Sequence, residues 1–436
     1  MDFKQYKDKR VFKVGATMLV LGSLTIGVAF AFAATPKNQV LTFNNASTSG
    51  NANKSGGNVN FGAATSPTTQ APVTTQPQTT TTMMNHGSGF DVCPVGIGKQ
   101  GSMGPCIDKS KIPAPGPSIS TSVVANTGQP FKEVGGEAGA FRTKCDYSHM
   151  SNDDPIVYPG QSGAAHLHVF FGNTGTNSAT TPTNLLNSGN STCSGGTLNR
   201  SAYWVPAMID TSIGRPIRPS DPRGQFMGDL EVYYKNGYQG IGYGDIQTFP
   251  KGFEMIAGNL PGATSATPNS HVNYYCEDAD QSQQSKRGTS IPVCNKGQIL
   301  TMFIEFPQCW DGKNTTVPGA RSHMAYGTAR GSSRPFATDG CPSTHPIGLP
   351  VVEMFVRYYV STTNTANWRL SSDNYTNGPG GYSGHADYMF AWDETVFPRV
   401  KKNCYNAQKD CLFGMGDGTE PKFMRTAFPW TPIYNN

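Results

Sequence analysis

The sequence predicts an all-β protein, organised as a β-sandwich or jelly-roll-like single domain with long loops braced by disulfides. Its candidate strands are short and rich in β-branched and aromatic residues, and clusters of Gly, Pro, Asn and Ser separate them. Gly and Pro contribute 50 and 32 of the 436 residues, whereas charged residues make up only 14%. Helical periodicity is scarce, so the composition disfavours a helical bundle.

Six segments carry the strand pattern, and two short ones are compatible with helices. The predicted strands are AHLHVFFG at 165–172, SAYWVPAMI at 201–209, DLEVYYK at 229–235, ILTMFIEF at 299–306, VVEMFVRYYV at 351–360 and DYMFAWD at 387–393. The predicted helices are TPTNLLNS at 181–188 and a short stretch after Glu394. No low-complexity segment and no repeat of solenoid period interrupts residues 90–436, which we therefore expect to form one domain.

Residues 1–34 are predicted to be a signal peptide or an N-terminal membrane anchor. Residues 1–13 carry five basic and two acidic side chains, and residues 14–34 form an uncharged run of 21 residues. The run is long enough to cross a bilayer, and the small-x-small sequence Ala31-Phe32-Ala33 also suits signal peptidase. Because the basic end stays inside, the remainder is exported under either interpretation. The mature protein is then either secreted or anchored to the outer face of the membrane.

Residues 35–89 are predicted to be a disordered linker rich in Ser, Thr, Asn and Pro. Between residues 35 and 88 the only charged side chains are Lys37 and Lys54, and the tract TTQAPVTTQPQTTTT occupies 68–82. Such a segment buries too little apolar surface to offset its ordering entropy. We therefore expect this segment to be a flexible spacer ahead of the folded domain.

The cysteines also indicate export. There are ten, all after residue 92, and no two have CxxC spacing; they are Cys93, Cys106, Cys145, Cys193, Cys276, Cys294, Cys309, Cys341, Cys404 and Cys411. An even number without CxxC pairs argues against zinc ribbons and favours five disulfides in an oxidising compartment. Pairing neighbours in sequence would close short local loops, but spacing alone leaves the connectivity open.

Two histidine-containing pairs are the strongest candidates for a metal site. His166 and His168 are two residues apart within a predicted strand, so their imidazoles share one face of it. His385 and Asp387 repeat this spacing on another strand. Together they would offer three nitrogens and an oxygen, a set that suits a divalent transition metal such as zinc, manganese, iron or copper. The same side chains also suit acid–base catalysis or plain structural hydrogen bonds.

Other side chains are candidates for supporting or catalytic roles. His323 and His345 lie on either side of Cys341, at the end of an expected Cys309–Cys341 loop. Tyr326 and Tyr388 each follow a histidine by three residues and are candidate acid–base groups for a lyase. The five tryptophans either stack on sugar rings in a groove or, more simply, fill the core.

The order of motifs resembles a known family. The motifs are DPIVYPGQSGAAHLHVFFGN, YWVPAM, FPQCWDGKN, RSHMAYG, CPSTHP with LPVVE, and GHADYMFAWD. Together they resemble the secreted domain-of-unknown-function family numbered nineteen ninety-six, of fungi and bacteria, over about residues 120–400. The resemblance implies an extracellular protein, in fungi sometimes joined to carbohydrate-binding modules, and no known reaction. Its motif histidines fall on His166, His168, His323, His345 and His385, with Asp311 and Asp387 nearby.

These observations lead to one leading hypothesis and two alternatives. The leading hypothesis is an exported polysaccharide-active hydrolase or lyase with a metal or acid–base centre at His166, His168 and His385. The first alternative is a non-catalytic module that binds cell-wall glycan on a flexible stalk, and the second is metal capture without turnover. A membrane is a partner only if the leader stays uncleaved. The formal net charge of +5 gives no electrostatic footprint for nucleic acid.

Overall fold

The described part of the chain falls entirely within the segment predicted to fold. The computed structural model describes residues 107–122, 134–135, 139–223, 228–236, 246–267, 271–327, 340–375 and 379–411. The predicted leader and linker, with Cys93 and Cys106, lie outside these ranges. Within them, no helix has both the length and the apolar character needed to cross a membrane.

Strands dominate the described residues. In chain order they are β1 Val134–Gly135, β2 Ala140–Cys145, β3 Tyr147–Ser151, β4 His168–Gly172, β5 Ala202–Pro206, β6 Met208–Asp210, β7 Arg215–Ile217, β8 Leu230–Lys235, β9 Glu254–Gly258, β10 Val272–Asp278, β11 Gln298–Glu305, β12 Cys309–Trp310, β13 Met324–Ala325, β14 Ile347–Gly348, β15 Val351–Tyr359, β16 Trp368–Leu370, β17 His385–Met389 and β18 Lys409–Asp410. The all-β prediction is therefore confirmed.

The strands form two large sheets and two small ones. The larger sheet has the order β1-β18-β2-β8-β15-β11-β10, and the second has the order β3-β4-β5-β17-β9. The small sheets are β13-β12-β14 and β16-β6-β7. All pairings between these strands are antiparallel except β18 with β2. The predicted strand 201–209 divides after Pro206 between β5 and β6, which belong to different sheets.

Helices are few and short, as predicted. Helix α1, Pro182–Leu185, begins at a capping box in which Thr181 accepts from the Asn184 amide, and proline occupies its first turn. Helix α2, Val396–Val400, continues directly into a π-helix at Lys401–Tyr405. A 3₁₀ turn lies at Lys109–Lys111.

The inner faces of the two large sheets share one hydrophobic core. Alternate residues of β8, β11 and β15 supply one side, and alternate residues of β4, β5, β9 and β17 supply the other. A buried hydrogen bond of 2.7 Å between the hydroxyls of Tyr203 and Tyr234 joins the two faces. The sandwich therefore has a single continuous interior.

The outer face of the five-stranded sheet carries a second, smaller core. Loops and α1 cover it, and its members are Ile156, Phe170, Leu185, Ala202, Trp204, Ile256, Ala320, Met389 and Ala391. This sheet is therefore buried on both faces, so polar side chains on its outer face are shielded from water.

Four disulfides brace the described loops, and each joins two consecutive cysteines along the chain. They are Cys145–Cys193, Cys276–Cys294, Cys309–Cys341 and Cys404–Cys411. Such bonds are typical of an oxidising, extracellular environment. Cys309–Cys341 closes a loop that contains Arg321 and His323, and closing a loop of its 32-residue separation stabilises the fold by about 3–4 kcal/mol.

A buried ion network lies on the outer face of the seven-stranded sheet. The Arg357 guanidinium donates to Glu231 at 2.6 Å and lies 3.5 Å from Asp221 and 3.7 Å from Glu277. Arg223 also bonds to Asp221 and Glu277. Because Arg357 is only 4% exposed, its removal would leave several carboxylates without their central partner.

We expect Arg357→Met to lower the free energy of unfolding by about 3–5 kcal/mol, since it leaves buried negative charges uncompensated. Urea denaturation measures the loss. The matched control is Arg399→Met, because among the described residues the Arg399 side chain hydrogen-bonds only to Thr395, at the start of its own helix. A cost within about 1 kcal/mol of the control would contradict the assignment of Arg357 as the centre of the network.

Candidate metal centre

Strand β17 supplies one side of the candidate site. It lies between β5 and β9, and its residues alternate between the two faces of the sheet. Ala386 and Tyr388 are buried in the main core. His385 and Asp387 consequently lie on the opposite, outer face, where they are 4% and 1% exposed.

The segment leading into β4 supplies the other side. Leu167 and Val169 are members of the main core, which turns His166 and His168 toward the outer face. Strand β4 begins at His168, so His166 lies just before the strand rather than within it. In the β4–β5 register His168 lies opposite Pro206. His166 therefore shares a face with His168, as the sequence predicted, although it lies before the first hydrogen-bonded residue of β4.

The three imidazoles form one cluster. The ring centroid of His166 lies 4.1 Å from that of His168 and 5.0 Å from that of His385, and the His168 and His385 centroids lie 6.0 Å apart. Each residue offers one ring nitrogen, and these three nitrogens all lie within 4.8 Å of one another. Among the described residues this is the only group of three or more His, Cys, Asp or Glu side chains that meets such a criterion.

Backbone carbonyls set the tautomers of two of the imidazoles. His168 Nδ1 donates to the Asp153 carbonyl at 2.9 Å, and His385 Nδ1 donates to the Ser383 carbonyl at 2.7 Å. Since a neutral imidazole carries one proton, Nε2 of both rings keeps its lone pair. A donated Nδ1–H is also the usual way in which proteins orient a metal-binding histidine.

Two of the cluster's ring nitrogens are buried without a hydrogen-bond partner among the described residues. Nε2 of His166 and Nε2 of His168 are shielded from solvent and accept no hydrogen bond within the described ranges. Burial, and then the charge of its histidine neighbours, lowers the pKa of His166 well below 6.5. Burial and then His168 lower the pKa of His385 to about 3. All three rings are therefore neutral at neutral pH, which is the form that binds a metal.

Gly258 allows the neighbouring strand to approach the cluster. It lies opposite His385 in the β9–β17 register and has a φ of +89°. A Cβ atom there would lie 2.8 Å from the His385 Cα and 2.6 Å from the Gly384 carbonyl oxygen. Only glycine fits both the left-handed backbone and this close contact.

Asp387 lies beside the cluster but is not one of the three clustered ligands. Both of its carboxylate oxygens are buried, and neither has a hydrogen-bond partner in the described structure. Burial, followed by the charge of Asp154, raises the pKa of Asp387 well above 3.8, against the opposing charge of Arg321. Two orphaned carboxylate oxygens on a sheet face are costly unless a ligand or cation compensates them.

Two of the predicted supporting residues lie in a separate arrangement. His323 Nε2 donates to the Glu254 carbonyl at 2.8 Å, and its ring lies 5.4 Å from that of Phe253. His345 Nε2 donates to the Ser322 carbonyl at 3.0 Å. Neither histidine belongs to the cluster of three, so the structure brings together His166, His168 and His385 without these two.

Neither tyrosine candidate belongs to the cluster. Tyr388 is fully buried in the main core, where its hydroxyl lies 3.2 Å from that of Tyr234, on the face opposite His385. Tyr326 stacks on His271 at 3.4 Å and donates to the Glu305 carbonyl. The i+3 spacing places a strand side chain on the other face, which is why Tyr388 and His385 separate.

The sequence reasoning did not single out Arg321, which neighbours the cluster. Its Nη1 donates to the Gly258 carbonyl at 2.9 Å, and its charge lowers the pKa of His385 as a minor contribution. Asp154 and Glu254 also act on the pKa of Asp387. Arg321 opens the motif RSHMAYG, but nothing in that string indicates which strand its side chain reaches.

The fold and this cluster define a disulfide-bonded all-β domain with a candidate metal centre. The model of the family called domain of unknown function, DUF1996, matches residues 154–392, more than half of the chain. The chain belongs to this family, which the motif order had predicted. No curated protein and no solved structure gives a significant match.

We expect the metal-free protein to lose stability in mild acid because of the buried histidines. The unfolded chain protonates His385 near pH 6.5, whereas the folded chain does so only near its pKa of about 3. The free energy of unfolding therefore falls as the pH drops below 6.5 toward 3, and His385 alone contributes about 2 kcal/mol between about pH 7 and pH 5. Urea unfolding with a chelator at both pH values measures this.

His385→Gln removes the titrating group and should reduce the pH dependence by that amount. His345→Gln is the control, because His345 is only partly buried and lies outside the cluster. Equal pH dependence in wild type and His385→Gln would show that His385 is not held neutral in the fold.

Proposed function

We propose that this protein is an exported metalloprotein whose metal centre is formed by His166, His168 and His385. The observation that carries the proposal is the convergence of three neutral imidazoles, of which His168 and His385 are buried and donate their Nδ1 hydrogens to backbone carbonyls. Buried polar atoms almost always have a partner in folded proteins, and a cation supplies one here.

The arrangement suits a transition metal with an open coordination position. Around a tetrahedral ion with ligands at about 2.0–2.1 Å, neighbouring nitrogens lie about 3.3 Å apart, so small side-chain adjustments within the 4.8 Å cluster would bring it to that geometry. Three protein ligands leave a fourth position for water or substrate, as in catalytic zinc sites, whereas structural sites use four. Imidazole ligands suit zinc, copper, iron and nickel.

Catalysis on an extracellular polysaccharide is the activity that we propose for this centre. Four disulfides indicate an oxidising environment, and polysaccharides are abundant outside cells. The partly exposed residues at the cluster are His166 and Arg321, so a large substrate would approach from their side. The metal would supply a Lewis acid or an activated water, and Asp387 would supply a neighbouring carboxylate.

A wall-binding module that stacks sugars on tryptophan is less well supported. Trp204, Trp368 and Trp392 are at most 1% exposed and therefore serve as core side chains. Trp310 is partly exposed, and Trp430 lies outside the described residues. Three of the five tryptophans are thus unable to stack on a glycan.

Elemental analysis of the exported chain, purified from an oxidising compartment without a polyhistidine tag, is the first experiment. We expect about one equivalent of a transition metal in wild type and none in the His166→Gln/His168→Gln variant, because the variant keeps only one of the three imidazoles. His345→Gln, with its ring outside the cluster, should retain the wild-type metal content. Loss of metal in the control alone, or no metal in any sample, would refute the site.

The second experiment tests catalysis. Wild type is screened for release of reducing or unsaturated ends from polysaccharides, and chelation should abolish any release while the metal that elemental analysis identifies restores it. The His166→Gln/His168→Gln variant should lose activity by at least about a hundredfold with its circular dichroism unchanged. Full activity after chelation would eliminate metal-dependent catalysis, and metal binding without turnover would favour metal capture.

A further inference from the structure

We propose that Arg321 forms an oxyanion-binding position beside the metal centre, so that the ligand of this site carries a carboxylate that bridges the metal and the Arg321 guanidinium. This inference rests on the proposed function, because it requires the three-histidine metal site. It goes further by naming the charge and the chemical group that the site selects.

Arg321 is held in place by the edge of the five-stranded sheet. The loop before it runs along the outer edge of β9, the edge that no other strand of the sheet pairs with. There the Glu254 amide donates to the Thr315 carbonyl, and the Ile256 amide donates to the Ala320 carbonyl. Arg321 Nη1 continues this row with its bond to the Gly258 carbonyl. Gly258 in turn lies opposite His385, so the guanidinium lies in the same row of the sheet as a cluster imidazole.

The rest of the guanidinium is available for a ligand. In the part of the chain that the structure describes, the Arg321 side chain makes this single hydrogen bond and no ion pair within 4 Å, although Asp387 is close enough to act on its pKa. Arginine presents five N–H donors in a planar fork that matches the two oxygens of a carboxylate. A guanidinium anchored through one donor keeps the other four for recognition.

The charges around the site also favour an anion. Three neutral imidazoles leave the charge of a divalent ion uncompensated, and Arg321 adds one positive charge. Asp387 offsets at most one of these three charges. Asp154 and Glu254 are hydrogen-bonded within the protein, Asp154 to the Ile156 and Val157 amides and Glu254 to the Thr316 hydroxyl. The ion, its three imidazoles, Arg321 and Asp387 together are therefore net positive.

The partly exposed residues of the site are those that an incoming anion would meet first. His168, His385 and Asp387 are buried, whereas His166 and Arg321 are partly exposed. The buried members would hold the ion from the sheet side, and the exposed members would border the entrance. A uronic acid residue of a polysaccharide and a small organic acid both present the required group.

The test uses the full chain loaded with Co²⁺, whose visible absorption reports on ligands at the metal. We titrate acetate, galacturonate and polygalacturonate into wild type, Arg321→Gln, Arg321→Lys and the control Arg399→Gln. In wild type and the control, we expect a saturable spectral change. In Arg321→Gln we expect the cobalt content to remain at one equivalent, while the carboxylate dissociation constant rises by at least about tenfold. Arg321→Lys should be intermediate, because it keeps the charge and loses the fork.

The outcomes separate this inference from the metal site itself. If wild type binds no cobalt, the metal centre is refuted first. If cobalt binds and Arg321→Gln keeps wild-type carboxylate affinity, the oxyanion position is refuted while the metal centre stands. If Arg321→Gln fails to fold, wild-type affinity in a folded Arg321→Lys overturns the role of the fork. Tighter binding of polygalacturonate than of acetate would identify a polysaccharide source, and equal affinity would identify a small acid.

Discussion

The alternation of side chains along β17 is the constraint on which the candidate site depends. Tyr388 packs among Tyr203, Phe249 and Phe306 in the main core, and this packing fixes which face of the strand looks inward. The strand period then forces His385 and Asp387 onto the outer face. A one-residue slip would bury the imidazole in the apolar core and expose the tyrosine, so the hydrophobic core holds the polar site in register.

Backbone carbonyls, rather than other side chains, orient several side chains of the site. The carbonyls of Asp153 and Ser383 orient two imidazoles, and the Gly258 carbonyl anchors Arg321. These carbonyls belong to a loop, to a turn before β17 and to an edge strand, which are far apart in sequence. Because the positions of carbonyls depend on the whole fold, the site is only as rigid as the sandwich that supports it.

The site lies within the domain that defines the family. The matched range, residues 154–392, contains the three histidines, Asp387 and Arg321. The disulfide Cys309–Cys341 lies within the same range and encloses the loop that carries Arg321. By contrast, the disulfide Cys404–Cys411 lies beyond it. The candidate metal centre and its neighbouring guanidinium therefore lie within the part of the chain that the family model matches.

The sequence by itself indicated six strand segments and the alternation of side chains along them, because these depend on neighbours in the chain, but it left the disulfide connectivity open. It also indicated that His166 and His168 share a face, and that His385 and Asp387 do. Only the tertiary structure decided that β4 and β17 are separated by one strand, which places the His385 ring against the other two. Likewise, only the hydrogen bonds along the outer edge of β9 placed Arg321 beside the cluster. Strand order and edge pairing follow from long-range burial of apolar faces, which a local pattern does not specify.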